Sequence, residues 1–117
     1  MLAAVGRVLI LEPQPEIRQL VGRVAGRLGH EALTEPPTQL RGIDAVVLEP
    51  ESLRGLTIAQ QLRERSPELP IICASIAAPN AKTRALGPVA YLLKPFTLQD
   101  LERALSSALP TPSGDAD

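Results

Sequence analysis

Four short and uninterrupted apolar segments divide the chain, at residues 8–11, 45–48, 71–74 and 89–93. Uninterrupted apolar character is typical of parallel strands that helices cover on both faces, whereas alternation would indicate a sheet with one face in water. A weaker segment at residues 30–34 is interpreted as an edge strand. The pattern therefore predicts five strands, four of them covered on both faces.

Segments with helical periodicity lie between these apolar segments. Apolar residues recur at helical spacing over residues 17–28, with Pro15 at a first-turn position and Gly29 at a C-cap position. A second helix is predicted to begin at about Leu56 and to end at Arg65, just before a Ser-Pro pair. Both helices are predicted to direct their apolar positions toward the sheet.

The last helix has clear boundaries in the sequence. Thr97 is the predicted N-cap, and Asp100 stands at the spacing of a capping box. The predicted buried stripe comprises Leu98, Leu101, Ala104, Leu105 and Ala108. By contrast, the connections at residues 34–44 and 76–87 leave room for no more than one turn and two turns of helix, respectively.

Strands that alternate with helices form right-handed crossover units, so the chain is predicted to be an α/β domain with a doubly wound parallel sheet. Its 117 residues suit a single core, which we place at residues 1–109. Residues 110–117 carry proline, serine and aspartate without an apolar pattern. They are interpreted as a flexible tail or the stub of a linker.

Composition narrows the class of partner. The 12 basic and 13 acidic residues leave a net charge of −1, and only Tyr91 and Phe96 are aromatic, so the chain is not expected to bind nucleic acid. No segment approaches the roughly 20 apolar residues of a membrane span, so we expect a cytoplasmic protein that does not bind a membrane. Cys73 is the single cysteine and is predicted to be buried, whereas the single histidine, His30, is predicted to lie at the surface.

Polar side chains follow the apolar segments. Because the carboxyl ends of parallel strands meet at one edge of a sheet, these side chains are expected to converge there. They are Glu12, Glu49, Ser75 and Lys94. Taken singly, the two glutamates would be interpreted as solvated loop acids, and Ser75 as a cap of the following turn. Together they bring two carboxylates, a hydroxyl and an ammonium to one rim.

In this order, the segments resemble the receiver (CheY-like) domain of bacterial response regulators. Residues 8–18 resemble its first strand, which two acidic residues follow, and residues 44–49 resemble its third strand, which ends at the phosphate-accepting aspartate. Residues 70–75 resemble its fourth strand, which ends in threonine or serine. Residues 91–96 resemble its fifth strand, with Tyr91 as the switch aromatic and a Lys-Pro pair after it.

The resemblance implies a flavodoxin-like sheet of order 2-1-3-4-5 and a cis peptide bond between Lys94 and Pro95. The short spans at residues 34–44 and 76–87 predict that the second and fourth helices of this fold are shortened. It also implies a protein partner, bound through the face of the fourth helix, the fifth strand with Tyr91, and the fifth helix, here roughly residues 81–109. A homodimer is left open as an alternative partner. Neither enzyme activity nor a cofactor is expected.

Two departures from the receiver pattern bear on function. The second acid of the family is replaced by Pro13, which has no side-chain oxygen, and the acceptor aspartate is replaced by Glu49, whose carboxylate lies one methylene further out. Mg²⁺ tolerates missing oxygen ligands poorly, and phosphoryl transfer depends on positioning and charge neutralisation. We therefore expect no bound metal and interpret the pocket as a degenerate phosphorylation site.

Without a metal ion, Lys94 is the cation that we expect to offset Glu12 and Glu49 at this rim. The longer side chain of Glu49 predicts a salt bridge to Lys94 at a half-exposed position. Ser75 is expected to add a hydrogen bond to this pair as a donor.

The leading hypothesis is an atypical receiver domain in bacterial signal transduction that binds a protein partner without being phosphorylated. One alternative is a phosphorylatable receiver with an unusual acceptor, either Glu49 or Ser75. Another is a small-ligand binder on the same flavodoxin-like scaffold. The first strand–helix loop, at residues 12–16, disfavours a nucleotide binder because it contains no glycine.

Overall fold

The apolar segments form parallel strands in the computed structural model, which describes residues 6–109. The strands are β1 (Arg7–Leu11), β2 (Glu31–Leu33), β3 (Ala45–Leu48), β4 (Ile71–Ser75) and β5 (Ala90–Leu93). They lie in the order β2-β1-β3-β4-β5, and each neighbouring pair is parallel. The predicted flavodoxin-like sheet is confirmed. The predicted tail at residues 110–117 lies outside the described residues.

Three helices lie between strands, and a fourth follows the last strand. They are α1 (Pro15–Arg27), α2 (Leu53–Arg65), α3 (Ala81–Ala85) and α4 (Leu98–Ala108). Residues 34–44 contain no helix, as predicted, so α3 stands at the place of the shortened fourth helix. The helix α2 begins three residues earlier than the predicted Leu56, because Ser52 caps it by accepting a hydrogen bond from the backbone N–H of Gly55.

The two faces of the sheet carry separate apolar clusters. Successive side chains of a strand point to opposite faces, so β1 contributes Val8 to one cluster and Leu9 to the other. The first cluster packs against α1 and α4, and the second packs against α2. Helices therefore cover both faces of β1, β3 and β4, which explains their uninterrupted apolar sequences.

The last strand is covered less completely than the other three. Leu92 packs against the first cluster and Tyr91 against the second, so both faces of β5 contact the core, but β5 lies at the edge of the sheet. Leu93 at its end is 54% exposed, and Val89, just before the strand, is 58% exposed. Leu98, predicted to lie in the buried stripe of α4, is 47% exposed. The described part of the chain thus leaves a set of aliphatic side chains in water at this edge. We call Val89, Leu93 and Leu98 the edge patch.

At the opposite end of the sheet, the predicted surface position of His30 is also wrong. His30 lies in the connection between α1 and β2 and is only 6% exposed, although a surface position was predicted. Its Nδ1 accepts a hydrogen bond of 3.2 Å from the backbone N–H of Gly6, which satisfies the buried ring. Among residues 6–109, none of the helices combines the length and the apolar character that crossing a membrane requires.

Candidate functional site

Three charged side chains meet at the carboxyl edge of the sheet. Glu12 follows β1, Glu49 follows β3 and Lys94 follows β5. The ammonium of Lys94 lies 2.9 Å from Oε2 of Glu49 and 3.0 Å from Oε1 of Glu12. The predicted ion pair with Glu49 is therefore present, and Glu12 joins it. We call these three residues the carboxylate cluster.

Burial distinguishes this cluster from an ordinary surface ion pair. The exposed fractions of the side chains are 2% for Glu12, 9% for Glu49 and 8% for Lys94. The prediction of a half-exposed rim is therefore wrong. The three side chains line a cleft of about 310 Å³, together with Pro13, Ser52 and Ile76.

Each glutamate also makes the same local turn. Oε2 of Glu12 accepts a hydrogen bond of 3.0 Å from the backbone N–H of Gln14, and Oε1 of Glu49 accepts one of 2.9 Å from that of Glu51. The intervening residue is proline in both cases, at Pro13 and at the position after Glu49. Proline has no N–H, so the carboxylate bonds to the next donor along the chain. All four carboxylate oxygens consequently have a donor within the protein.

Two contributors to the site were missed in the sequence. Gln14 supplies a backbone donor to Glu12, and its side-chain oxygen lies 3.4 Å from the ammonium of Lys94. Arg18 of α1 donates a hydrogen bond of 3.0 Å to the backbone carbonyl of Glu12. The repeated Glu-Pro pair was the sequence signal for the matching turns. No comparable signal marked Arg18.

The charge state of Lys94 reflects two opposing effects. Burial by itself lowers the pKa of the ammonium, because it disfavours the charged form. Hydrogen bonds to Glu49 and Glu12, together with their negative charges, outweigh burial and raise the pKa of Lys94 above its ordinary value of 10.5. Lys94 therefore stays a cation at neutral pH.

The residues of the site do not fit the Mg²⁺ ion that the receiver resemblance implies. Mg²⁺ requires near-octahedral oxygen ligands at about 2.0–2.1 Å. Here the oxygens of Glu12 and Glu49 already accept from N–H groups and from the ammonium of Lys94, and Pro13 adds no side-chain oxygen. Within residues 6–109, no group of three or more histidine, cysteine, aspartate or glutamate side chains is placed to hold a metal ion.

The two remaining site residues lie beside the cluster instead of in it. Ser75 was predicted to donate to the ion pair, but its hydroxyl accepts a hydrogen bond of 3.2 Å from the backbone N–H of Ala77. It therefore caps the turn after β4. Tyr91 donates its hydroxyl hydrogen to the backbone carbonyl of the same Ala77. The bond between Lys94 and Pro95 is cis, as predicted.

Burial also alters two neighbouring weak acids. Desolvation raises the pKa of the Cys73 thiol from 9.0 to about 11, and the negative charge of Glu49 adds to this effect. Desolvation also raises the pKa of Tyr91, while a hydrogen bond with Ser75 acts in the opposite direction. Cys73 is fully buried, as predicted. Because the pKa values of the thiol and of the Tyr91 hydroxyl are both raised, both groups are neutral at physiological pH.

Comparison with solved structures identifies the fold. The chain is 22% identical to the chemotaxis protein CheY4 of Vibrio cholerae, with a TM-score of 0.76 over 91% of this chain and 100% of that one. A response regulator from Thermotoga maritima is 19% identical, with a TM-score of 0.72 over 90% of this chain and 98% of that one. An orphan response regulator of H. pylori is 16% identical, with a TM-score of 0.69 over 89% and 96%.

These structural neighbours are CheY-like receiver domains, and at such identities the likeness establishes the fold alone. No protein-family model matches the chain, and no curated protein is a significant match to its sequence. The chain thus has the fold of response-regulator receiver domains.

Proposed function

We propose that this chain is an atypical receiver domain that acts in bacterial signal transduction by binding a protein partner without being phosphorylated. The observation that carries the proposal is the bridging of Glu12 and Glu49 by Lys94, at 3.0 Å and 2.9 Å. The bridge occupies the position from which a receiver would hold a metal ion and accept a phosphoryl group.

The electrostatics of the cluster support this proposal. Phosphoryl transfer brings a dianionic group toward the acceptor, so it depends on cations that neutralise the incoming charge. In this chain the one ammonium of Lys94 already offsets two buried carboxylates. Breaking these contacts would leave buried charge uncompensated, which costs several kcal/mol. An incoming phosphate therefore meets a site that is closed by its own side chains.

The edge patch supports the binding of a protein. Val89 precedes β5, Leu93 ends it and Leu98 begins α4, so all three lie within residues 81–109, the segment that the resemblance implies. Exposed aliphatic side chains are available for contact with another protein. We propose the face formed by this segment as the site of the partner, which is either another protein or a second copy of this chain.

Incubation with radiolabelled acetyl phosphate and Mg²⁺ tests the absence of phosphorylation. We expect no label on the native chain. The matched control is Pro13→Asp combined with Glu49→Asp, which restores both acids of the receiver pattern and is expected to take up label. Label on the native chain would contradict the proposal, and the variants Glu49→Gln and Ser75→Ala would then identify the acceptor.

Affinity capture from the native host tests the partner face. We expect Leu93→Asp to abolish capture of a partner that the native chain retains. Leu53→Asp is the matched control, because Leu53 is another aliphatic residue, 76% exposed, that lies at the start of α2 and outside the face. Equal loss in both variants would count against this face. Sedimentation at several protein concentrations tests whether the partner is a second copy.

A further inference from the structure

The helix α3 is too short to be stable by itself. It contains five residues, whereas an isolated helix below about 12–15 residues is marginal in water. Contacts with other parts of the molecule must therefore hold this helix in place. Because α3 begins the proposed partner face, these contacts also determine how that face is presented.

Arg63, in the last turn of α2, makes the main contact with the C-terminal end of α3. Its guanidinium donates hydrogen bonds of 2.7 Å to the carbonyl of Leu86 and 3.4 Å to that of Gly87, directly after α3. It also donates to the carbonyls of Pro67 and Ser66 after α2, at 2.7 Å and 3.3 Å. Carbonyls at helix ends have no partner within the helix, and an arginine has enough N–H groups to serve several of them.

The N-terminal end of α3 is held by its own capping box. The side chain of Asn80 accepts a hydrogen bond of 3.0 Å from the backbone N–H of Thr83, and the hydroxyl of Thr83 accepts one of 2.7 Å from the backbone N–H of Asn80. Thr83 is 2% exposed. Just before this box, Tyr91 and Ser75 both bind the backbone of Ala77.

The carboxylate cluster takes no part in holding α3. Among the described residues, the side chains of Glu12, Glu49 and Lys94 bond to one another and to Gln14 and Glu51. None of these bonds reaches residues 76–87. The nearest link is the backbone bond from the N–H of Lys94 to the carbonyl of Ser75, which belongs to the sheet ladder.

We propose that Arg63 is a positioning residue that fixes α3 from α2, so that the conformation of this face is set independently of the carboxylate cluster. The consequence for the partner rests on the proposed function. The anchoring itself requires no partner. A single side chain thus holds the C-terminal ends of two helices at a constant separation, whatever the charge state of the pocket.

Native-state hydrogen exchange on the full chain tests this anchoring in the variant Arg63→Gln. We expect exchange at the amides of Arg84, Leu86 and Gly87, which close the turns of α3, to become at least about tenfold faster. The amides of β4 serve as an internal reference and should change by less than about twofold. Arg63→Lys keeps the positive charge and the aliphatic stem but loses the planar fork. We expect it to give an intermediate acceleration, and it remains informative if Arg63→Gln folds poorly.

Two control variants make the result decisive. Arg65→Gln removes an exposed arginine from the same turn, where it makes a single bond to the carbonyl of Gln39, and it should leave exchange in α3 unchanged. Glu49→Gln perturbs the carboxylate cluster and should also leave exchange in α3 unchanged. The proposal is overturned if Arg63→Gln has no local effect, or if Glu49→Gln accelerates α3 as much as Arg63→Gln does. If the anchoring is found but Leu93→Asp leaves partner capture intact, the proposed face is wrong and the role of Arg63 stands.

Discussion

At the carboxyl edge of the sheet, the polar side chains satisfy one another, whereas at the outer edge apolar side chains are about half exposed to water. Lys94 bridges Glu12 and Glu49 with side-chain exposures below 10%, and all four carboxylate oxygens have donors. Only a few residues away along the chain, Leu93 and Leu98 are 54% and 47% exposed. The charged region is therefore buried and internally paired, whereas the aliphatic region is exposed to water.

This difference indicates that the two regions contribute to different properties of the protein, namely stability and association. A buried charged cluster is costly to disrupt, because removing one member leaves its partners buried without compensation. An exposed aliphatic patch contributes little to stability, because its side chains remain in water, but it can gain free energy when another protein covers it. Changes to the cluster should therefore alter stability, and changes to the patch should alter association.

The largest effect is expected for Lys94→Ala. Removing the ammonium leaves Glu12 and Glu49 buried beside each other without compensation, which should lower the free energy of unfolding by about 3–5 kcal/mol. Urea unfolding monitored by circular dichroism measures the change. The control is Lys82→Ala, because Lys82 is the other lysine of the chain and is exposed, and it should cost less than about 0.5 kcal/mol. A loss below about 1 kcal/mol for Lys94→Ala would contradict the buried character of the cluster.

A smaller loss is expected when the whole cluster is made neutral. The triple variant Glu12→Gln, Glu49→Gln and Lys94→Met keeps acceptors for the two backbone N–H groups and removes every charge. It should recover at least about half of the roughly 3–5 kcal/mol lost in Lys94→Met alone. The double variant Lys94→Met with Glu49→Leu should not recover it, because Glu12 stays charged and buried. Equal stability of the double and triple variants would show that Glu12 is not a member of the cluster.

Alkaline pH should weaken the fold by an intermediate amount. The pKa of Cys73 is raised from 9.0 to about 11, so between these values the unfolded chain loses the thiol proton and the folded chain retains it. The stabilisation is complete below pH 9 and is lost as the pH rises, by about 1 kcal/mol per pH unit. Lys94, whose pKa is also raised, adds to the loss only above about pH 10.5. Urea unfolding at pH 8, 9 and 10 measures the slope, which should be shallower in Cys73→Ala.

The smallest effect on stability is expected for the edge patch. Leu93→Ser should change the free energy of unfolding by less than about 0.5 kcal/mol, because the side chain is already 54% exposed. Its neighbour Leu92 points to the opposite face of β5 and packs against the core, so Leu92→Ser should cost clearly more. Urea unfolding of both variants measures the contrast. Similar costs at the two positions would mean that Leu93 is covered in the free chain.

The sequence predicted the fold correctly where the signal was local. Uninterrupted apolar segments indicated β1, β3 and β4, and the Thr97 and Asp100 spacing indicated the capping box at the start of α4. The lack of room at residues 34–44 correctly predicted the missing helix. The exposure of Leu93 at the end of β5 was not predicted, because an apolar segment does not show how much of an edge strand remains in water.

At the candidate site, too, the features with a local sequence signal were predicted and the others were not. The sequence placed Glu12, Glu49 and Lys94 at strand ends, and parallel topology brought them to one edge. It did not predict their burial, because the cleft walls come from loops whose packing depends on remote residues. It also assigned Ser75 to the wrong partner, since the backbone N–H of Ala77 becomes available only when the turn after β4 forms.

The sequence by itself therefore determined the elements, their parallel arrangement and the identity of the polar residues at the strand ends, because these follow from periodicity and from the geometry of crossover units. The order of the strands followed from the resemblance to receiver domains. Tertiary structure decided which of these residues are buried, which edge is open and what holds α3. Lys94 meets Glu49 across 45 positions of sequence, and Arg63 meets Leu86 across 23. Contacts at such separations depend on how the helices pack on the sheet, and no local pattern of the chain encodes that packing.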